Sequence, residues 1–197
     1  MIRRQEHRHA AASKAASRRS VVTLCLVLAT SWPALGAEVG GVKLDDKLAL
    51  GAQELQLNGA GIRTRLMFKV YVASLYVPQK TGEPAALLRQ TPRRIQLTLL
   101  RKLSAGQLVD ALIEGLQANH SADELAGIKA QTDQLVSIMK AFDEVHEHDV
   151  VALDYVDGAT RISLNGQGKG TIAGERFNQA LMRVWLGDGL DVPHAWR

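Results

Sequence analysis

The sequence holds a single cysteine in 197 residues, and that residue, Cys25, lies inside an apolar run near the start of the chain. Disulfides, thiol catalysis and cysteine-ligated metal sites are excluded from everything that follows it. The residues before it, Val22-Thr23-Leu24, do not suit a lipoprotein site, which needs small side chains there. Long hydrophobic runs are missing too: Val21 to Thr30 is short of the roughly 20 residues that span a bilayer. There is no G-x-S-x-G elbow, so Ser104 and Ser121 read as helix caps rather than nucleophiles. No internal repeat, linker or low-complexity segment interrupts residues 38–197.

An excess of positive charge disappears once the beginning is set aside. The formal net charge is +4, but the first 37 residues hold six of the 24 basic residues and one of the 20 acidic ones, leaving 18 against 19. A nearly neutral remainder gives no electrostatic case for nucleic acid. Met1 to Ser20 is basic and polar, Val21 to Thr30 is apolar, and small residues follow at Ala34, Gly36 and Ala37. This three-part pattern predicts a secretory signal peptide over 1–37 and a periplasmic domain over 38–197, without a membrane span after cleavage. Leu35 is a less usual residue than alanine at the third position before that cut.

What is present is centred on Leu57 to Pro78, LNGAGIRTRLMFKVYVASLYVP. From Ile62, Arg63, Arg65, Lys69 and Tyr71 fall on one face and Leu66, Phe68, Val70 and Val72 on the other, the period-2 pattern of a half-buried strand. Past Val70 both faces are apolar, which predicts cover on both sides before Pro78 ends the ladder. One long strand passing from half exposed to covered places Arg63 or Arg65 at the mouth of a cavity.

Around this strand, Val42 to Leu44 and Glu54 to Leu57 read as short strands, Leu87-Leu88 as a helical turn before Pro92, and Arg94 to Lys102 as a neighbouring strand. Ser104-Ala-Gly-Gln107 and Ser121-Ala-Asp-Glu124 have capping-box spacing, and each opens an amphipathic helix. The first carries Leu108, Val109, Leu112 and Leu116; the second runs through Leu125, Ile128, Leu135, Ile138, Met139 and Phe142. Val150 to Val156, Thr160 to Leu164 and Gly170 to Ile172 form a meander through Asp157-Gly158 and Asn165-Gly166. Phe177, Leu181, Val184 and Trp185 stripe a last helix that Gly187 ends. The order predicts an α+β domain, an antiparallel sheet covered by helices on one side.

Gly59-x-Gly61-Ile62-Arg63, followed by Phe68-Lys69 and an apolar run ending Leu75-Tyr76-Val77, resembles the central strands of chalcone isomerases and chalcone isomerase-like proteins. GERFNQALMRVWLGD, Gly174 to Asp188, is a second match in the right order, and the likeness runs from Val39 to Asp191, closest to the bacterial secreted branch. The resemblance implies an open-faced β-sandwich of chalcone isomerase type. In the plant enzymes an arginine in the G-x-R position polarises the substrate carbonyl, assisted by a threonine in the following strand and by a tyrosine and an asparagine on the next helix. Arg63 matches the arginine, the threonine position falls near Tyr71, and the other two fall near Ser104 and Ala111. The chain has fewer residues between Arg63 and the L-Y-V end than the enzymes have, and lacks the glycine they use there.

One catalytic group is kept and the assisting set is lost. Isomerisation by intramolecular attack of a phenolate needs the carbonyl polarised and a proton delivered, so the loss favours binding over turnover. Related members without the full set are understood as fatty-acid-binding proteins in which such an arginine holds the carboxylate. A guanidinium stays charged at any workable pH and matches a carboxylate with two parallel hydrogen bonds, while an apolar cavity takes the alkyl chain. The expected ligand is therefore a small amphipathic molecule or carboxylate, with Arg63, Tyr71 and Ser104 as binding residues and Arg65 solvating the strand. Two alternatives stand beside this: an isomerase acting on an enone, with Arg63 as electrophile and Tyr71 as acid, and a structural or interaction module of the envelope.

Other groups point to less. Glu144, His146, Glu147 and His148 lack a distant third ligand, so neither a metal nor any other cofactor is expected. Gly166-Gln-Gly-Lys-Gly170 follows a turn signal instead of opening a helix and reads as a hairpin, not a phosphate loop. His120 belongs to a helix connection, His194 to a tail, and Phe177 and Trp185 to the core or a pocket wall.

Overall fold

A computed structural model describes residues 36–187. The expected signal peptide lies almost wholly outside the described residues, as does His194. The strands are β1 (Glu38–Val39), β2 (Val42–Lys43), β3 (Lys47–Leu50), β4 (Gln53–Arg65), β5 (Phe68–Val77), β6 (Arg93–Leu99), β7 (Leu103–Ser104), β8 (Glu144–Val145), β9 (Val150–Val156), β10 (Ala159–Leu164) and β11 (Gln167–Ala173). The helices are α1 (Pro84–Arg89), α2 (Ala105–Asn119), α3 (Ala122–Ala126), α4 (Lys129–Lys140) and α5 (Glu175–Leu186).

Seven strands form one antiparallel sheet in the order β11-β10-β9-β6-β5-β4-β3. The expected α+β architecture is found, with the apolar stripes of α2, α4 and α5 packed on one sheet face around Leu75, Ile95, Leu97, Ile162 and Phe177. On the other face, Leu55, Leu57, Val72 and Tyr76 form a second core with Leu44 and the β1–β2 hairpin. Both sides of β5 are covered from Val70 onward, as the two-sided apolar pattern predicts.

Two expectations need correction. The stretch read as one strand from Ile62 to Val77 is a hairpin: Arg65 pairs with Phe68, and Leu66-Met67 forms the turn, with φ of 46° and 67°. Glu54 to Leu57 belongs to the same strand as Ile62. Left-handed backbone costs an L residue about 1–2 kcal/mol, so neither leucine nor methionine signals such a turn. The reversal also changes the faces. Residues opposite each other across an antiparallel pair share a face, so Arg63 stands with Tyr71, and Arg65 with Phe68. Lys69, expected beside Arg63, pairs with Thr64 on the opposite face. Val70 is an extra residue at this point, a bulge that turns both Val70 and Tyr71 into the helix-side core.

The second correction concerns the helix opened at Ser121. It is broken: α3 ends at the cap Gly127, and Ile128 enters the core before α4 begins. Glycine is a poor continuer of a helix, and burying Ile128 outweighs the lost turn. Both capping boxes form, Ser104 with Gln107 and Ser121 with Glu124.

Candidate functional site

The site lies where the β4–β5 hairpin meets α2. Arg63 and Tyr71 are brought face to face by the strand pairing, and both are buried, at 6% and 3% exposure. Arg63 Nη1 has no hydrogen-bond partner. Its Nη2 lies 3.8 Å from Glu114 Oε2, a long contact to a half-exposed carboxylate that Arg65 approaches at 3.6 Å. A buried cation leaving a donor free is costly, and the cost is offset when an anion or polar oxygen arrives.

Tyr71 is fixed from the other side, because Trp185 Nε1 on α5 donates to its hydroxyl at 3.1 Å. Burial pushes the Tyr71 hydroxyl above the ordinary tyrosine value of 10.0, against the opposing pull of the Arg63 charge and of hydrogen bonding from Trp185 and Arg63. The phenol is therefore neutral at physiological pH, with its own O–H available to donate.

These groups front a cavity of about 320 Å³ lined by Arg63, Arg65, Phe68, Tyr71, Arg101 and Leu108, among others. Arg101 caps it, its Cζ 5.1 Å from the centre of the Phe68 ring. Tyr71, Leu108 and Ala111 are shared with a deeper apolar space of about 30 Å³ running between Leu97, Leu112, Met139, Leu153 and Trp185. The inner space has room for about one water and no polar groups to hold it apart from the tips of Tyr71 and Trp185. Acidic residues and histidines are absent from the linings of both spaces among the described residues.

Ser104 is placed differently from Arg63 and Tyr71. Its hydroxyl accepts from Gln107 N at 3.2 Å as the cap of α2, and it does not line the cavity. Glu144 pairs with Lys102 at 2.7 Å, and the described residues contain no group of three metal-ligating side chains. Sequence reasoning missed Glu114 and the Arg101–Phe68 contact. Gln107, Ala111 and Glu114 follow helical spacing along one flank of the apolar stripe of α2; the first two line the cavity and Glu114 reaches Arg63 and Arg65 at its edge.

A family model described as chalcone isomerase-like matches residues 36–190. The chain belongs to the chalcone isomerase-like family. Among solved structures, this chalcone isomerase-like protein is similar to a fatty-acid binding protein of Arabidopsis thaliana, with a TM-score of 0.61 and 14% identity over 79% of this chain and 90% of that one. At that identity the likeness speaks for the fold: a curled seven-stranded antiparallel sheet with helices packed on it. No curated protein is similar enough in sequence to match.

Proposed function

We propose that this chalcone isomerase-like protein binds a small amphipathic carboxylate, a fatty acid or a similar acid, with the carboxylate on Arg63 and Tyr71. The observation that carries the reading is the buried, unpartnered Nη1 of Arg63 beside an apolar cavity. Arg63 supplies the charge and Tyr71 a neutral O–H, so two donors of different strength converge on one oxygen pair. The hydrocarbon part lies against Phe68, Val70, Leu103 and Leu108, and the inner space behind Leu108 and Ala111, sized for about one water, takes more of it only if α2 shifts. The fold likeness to a fatty-acid binding protein supports the same ligand class. Ser104 contributes by holding the start of α2, the helix that walls the cavity, rather than by touching the ligand.

The protein is read as a member of the secreted bacterial branch, acting in the periplasm after loss of residues 1–37. Fractionation of an expressing bacterium, with the mass of the recovered chain, tests that placement. Binding is tested by native mass spectrometry with solvent extraction of whatever co-purifies. An acid that is retained by the wild type and lost from Arg63→Ala supports the reading; both forms empty, and neither taking up palmitate or an aromatic acid, overturns it.

A second reading is favoured by the adjacency of Arg63 and Tyr71: carbonyl polarisation by Arg63 with Tyr71 as the proton donor of an isomerase. The raised Tyr71 value suits an acid that stays protonated. Turnover of a chalcone that vanishes in Tyr71→Phe would establish it.

A further inference from the structure

Four hairpins of the large sheet close with two-residue turns, and three use residues that such turns favour: Gly51-Ala52, Asp157-Gly158 and Asn165-Gly166. The fourth places Leu66 and Met67 in left-handed backbone. Burial does not compensate, because Leu66, Met67 and Phe68 are 83%, 94% and 61% exposed. Among the described residues they are the exposed large apolar side chains. A lone exposed leucine needs no explanation, but three apolar residues in succession, at a turn whose backbone they disfavour, call for one.

Their surroundings are cationic. Arg65 and Lys69 flank the turn, Arg101 stacks over Phe68, and Lys102 follows. Two acids reach this set, Glu114 at 3.6 Å from Arg65 and Glu144 at 2.7 Å from Lys102, while Lys69 and Arg101 have no acidic partner among the described residues. An apolar tip within a ring of cations complements an anionic lipid surface: the apolar side chains enter the acyl boundary while the charges stay with the headgroups. A second copy of the chain suits the tip less well, since three side chains offer an area on the order of a few hundred Å², short of the roughly 800 Å² per partner of a stable interface.

We infer that the Leu66-Met67-Phe68 tip docks this protein on an anionic bilayer. Leu66 and Phe68 also line the outer cavity with Arg63, so docking brings the cavity mouth to the lipid surface. Docking stands on the tip alone; that the cavity then exchanges its ligand with the bilayer rests on the proposed binding function.

The test uses the full chain with Cys25→Ser and an environment-sensitive nitrobenzoxadiazole label on Thr64→Cys beside the tip, or on Lys80→Cys beyond the opposite end of β5. Each is mixed with vesicles of phosphatidylcholine, alone or with phosphatidylglycerol. The basic leader can attach the chain to anionic lipid, so the readout is the local environment of the label, not attachment. Expected is a several-fold rise in emission at position 64 with phosphatidylglycerol and little change at position 80. Replacing the turn by Leu66→Asn/Met67→Gly supplies residues that such a turn favours, so the fold is kept, and removing two apolar side chains that would enter the bilayer lowers the tip's partitioning by ~10-fold or more. A silent label on vesicle-bound protein overturns the inference, as does an equal response from the Asn-Gly tip. A response that grows with protein concentration without lipid assigns the tip to a second copy instead. Docking by a protein that neither retains an acid nor takes up palmitate or an aromatic acid refutes the binding function and spares the inference; bound acid with a silent tip does the reverse.

Discussion

Trp185 Nε1 donates to the Tyr71 hydroxyl at 3.1 Å, tying α5 to β5 across 114 residues of sequence. The bond orients the phenol beneath Arg63 and satisfies the indole N–H in the same step. Trp185→Phe removes the donor and leaves a small gap, so it should cost about 1–3 kcal/mol in urea unfolding. It should also raise the Tyr71 titration further, since the hydrogen bond holds that value down. An unchanged phenolate absorbance titration would show that the bond does not orient the ring.

Arg63 separates binding from stability. Its guanidinium is buried with one nitrogen unpartnered, so Arg63→Met should leave thermal stability unchanged or slightly raised. Loss of charge-assisted hydrogen bonds should at the same time weaken carboxylate binding by about 10- to 100-fold in calorimetry. A variant that unfolds would make Arg63 structural.

Alkaline pH should destabilise the fold. Burial raises Tyr71, Tyr76 and Tyr155 above 10.0, so below that value both folded and unfolded chains hold these protons and the contribution is complete. As pH rises past 10.0 the unfolded chain releases them first, and stability falls through the raised folded-state values. Urea midpoints between pH 8 and 11 should drop, and drop less steeply in Tyr71→Phe.

Asn178 holds a second buried cation. Its Oδ1 accepts from Arg93 Nε at 2.9 Å and its Nδ2 donates to Thr160 at 2.9 Å, while the Arg93 guanidinium lies over the Tyr155 ring. Asn178→Ala strips a fully enclosed arginine of one acceptor, leaving the carbonyls of Leu88 and Gln90, and should cost about 1.5–3 kcal/mol by denaturant melts, more than loss of Arg63. A cost below about 1 kcal/mol would mean that water replaces the amide.

Glycine at position 67 should stabilise. Met67 has φ of 67° and its side chain is exposed, so Met67→Gly relieves left-handed strain without losing a contact. The gain should be about 1 kcal/mol, visible as a higher melting temperature. A lower one would show that the tip packs on something in solution.

Much of this was legible in the sequence, for identifiable reasons. Period-2 and period-3.6 patterns, two capping boxes and the Asp-Gly and Asn-Gly turns place most elements, because each is decided within a few residues. Leu66-Met67 was not legible, since its turn is imposed by pairing between Arg63 and Tyr71 and carries no turn residue of its own. The α3–α4 break was hidden because Ile128 fits a helical stripe and leaves it only to fill the core. Arg63 and Tyr71 were singled out from alternation and family likeness, but hairpin pairing, not one strand's alternation, brings them face to face; the contacts of Glu114 with Arg63 and of Trp185 with Tyr71 come from packing between elements far apart in the chain.

The ladder between β6 and β9 joins two halves of the sheet whose neighbouring strands are otherwise linked by two-residue turns or, between β5 and β6, by the segment that holds α1, and the helices α2, α3 and α4 all lie between β6 and β9 in the chain. The inner space is walled by Tyr71 and Leu97 on one half and by Val151, Leu153 and Ile162 on the other. It does not exist until that seam closes, which is the slow, non-local event in the folding of such a topology. A ligand seated there would act as a latch on a finished structure: it lengthens the life of the native state by slowing unfolding and leaves the rate of its formation alone.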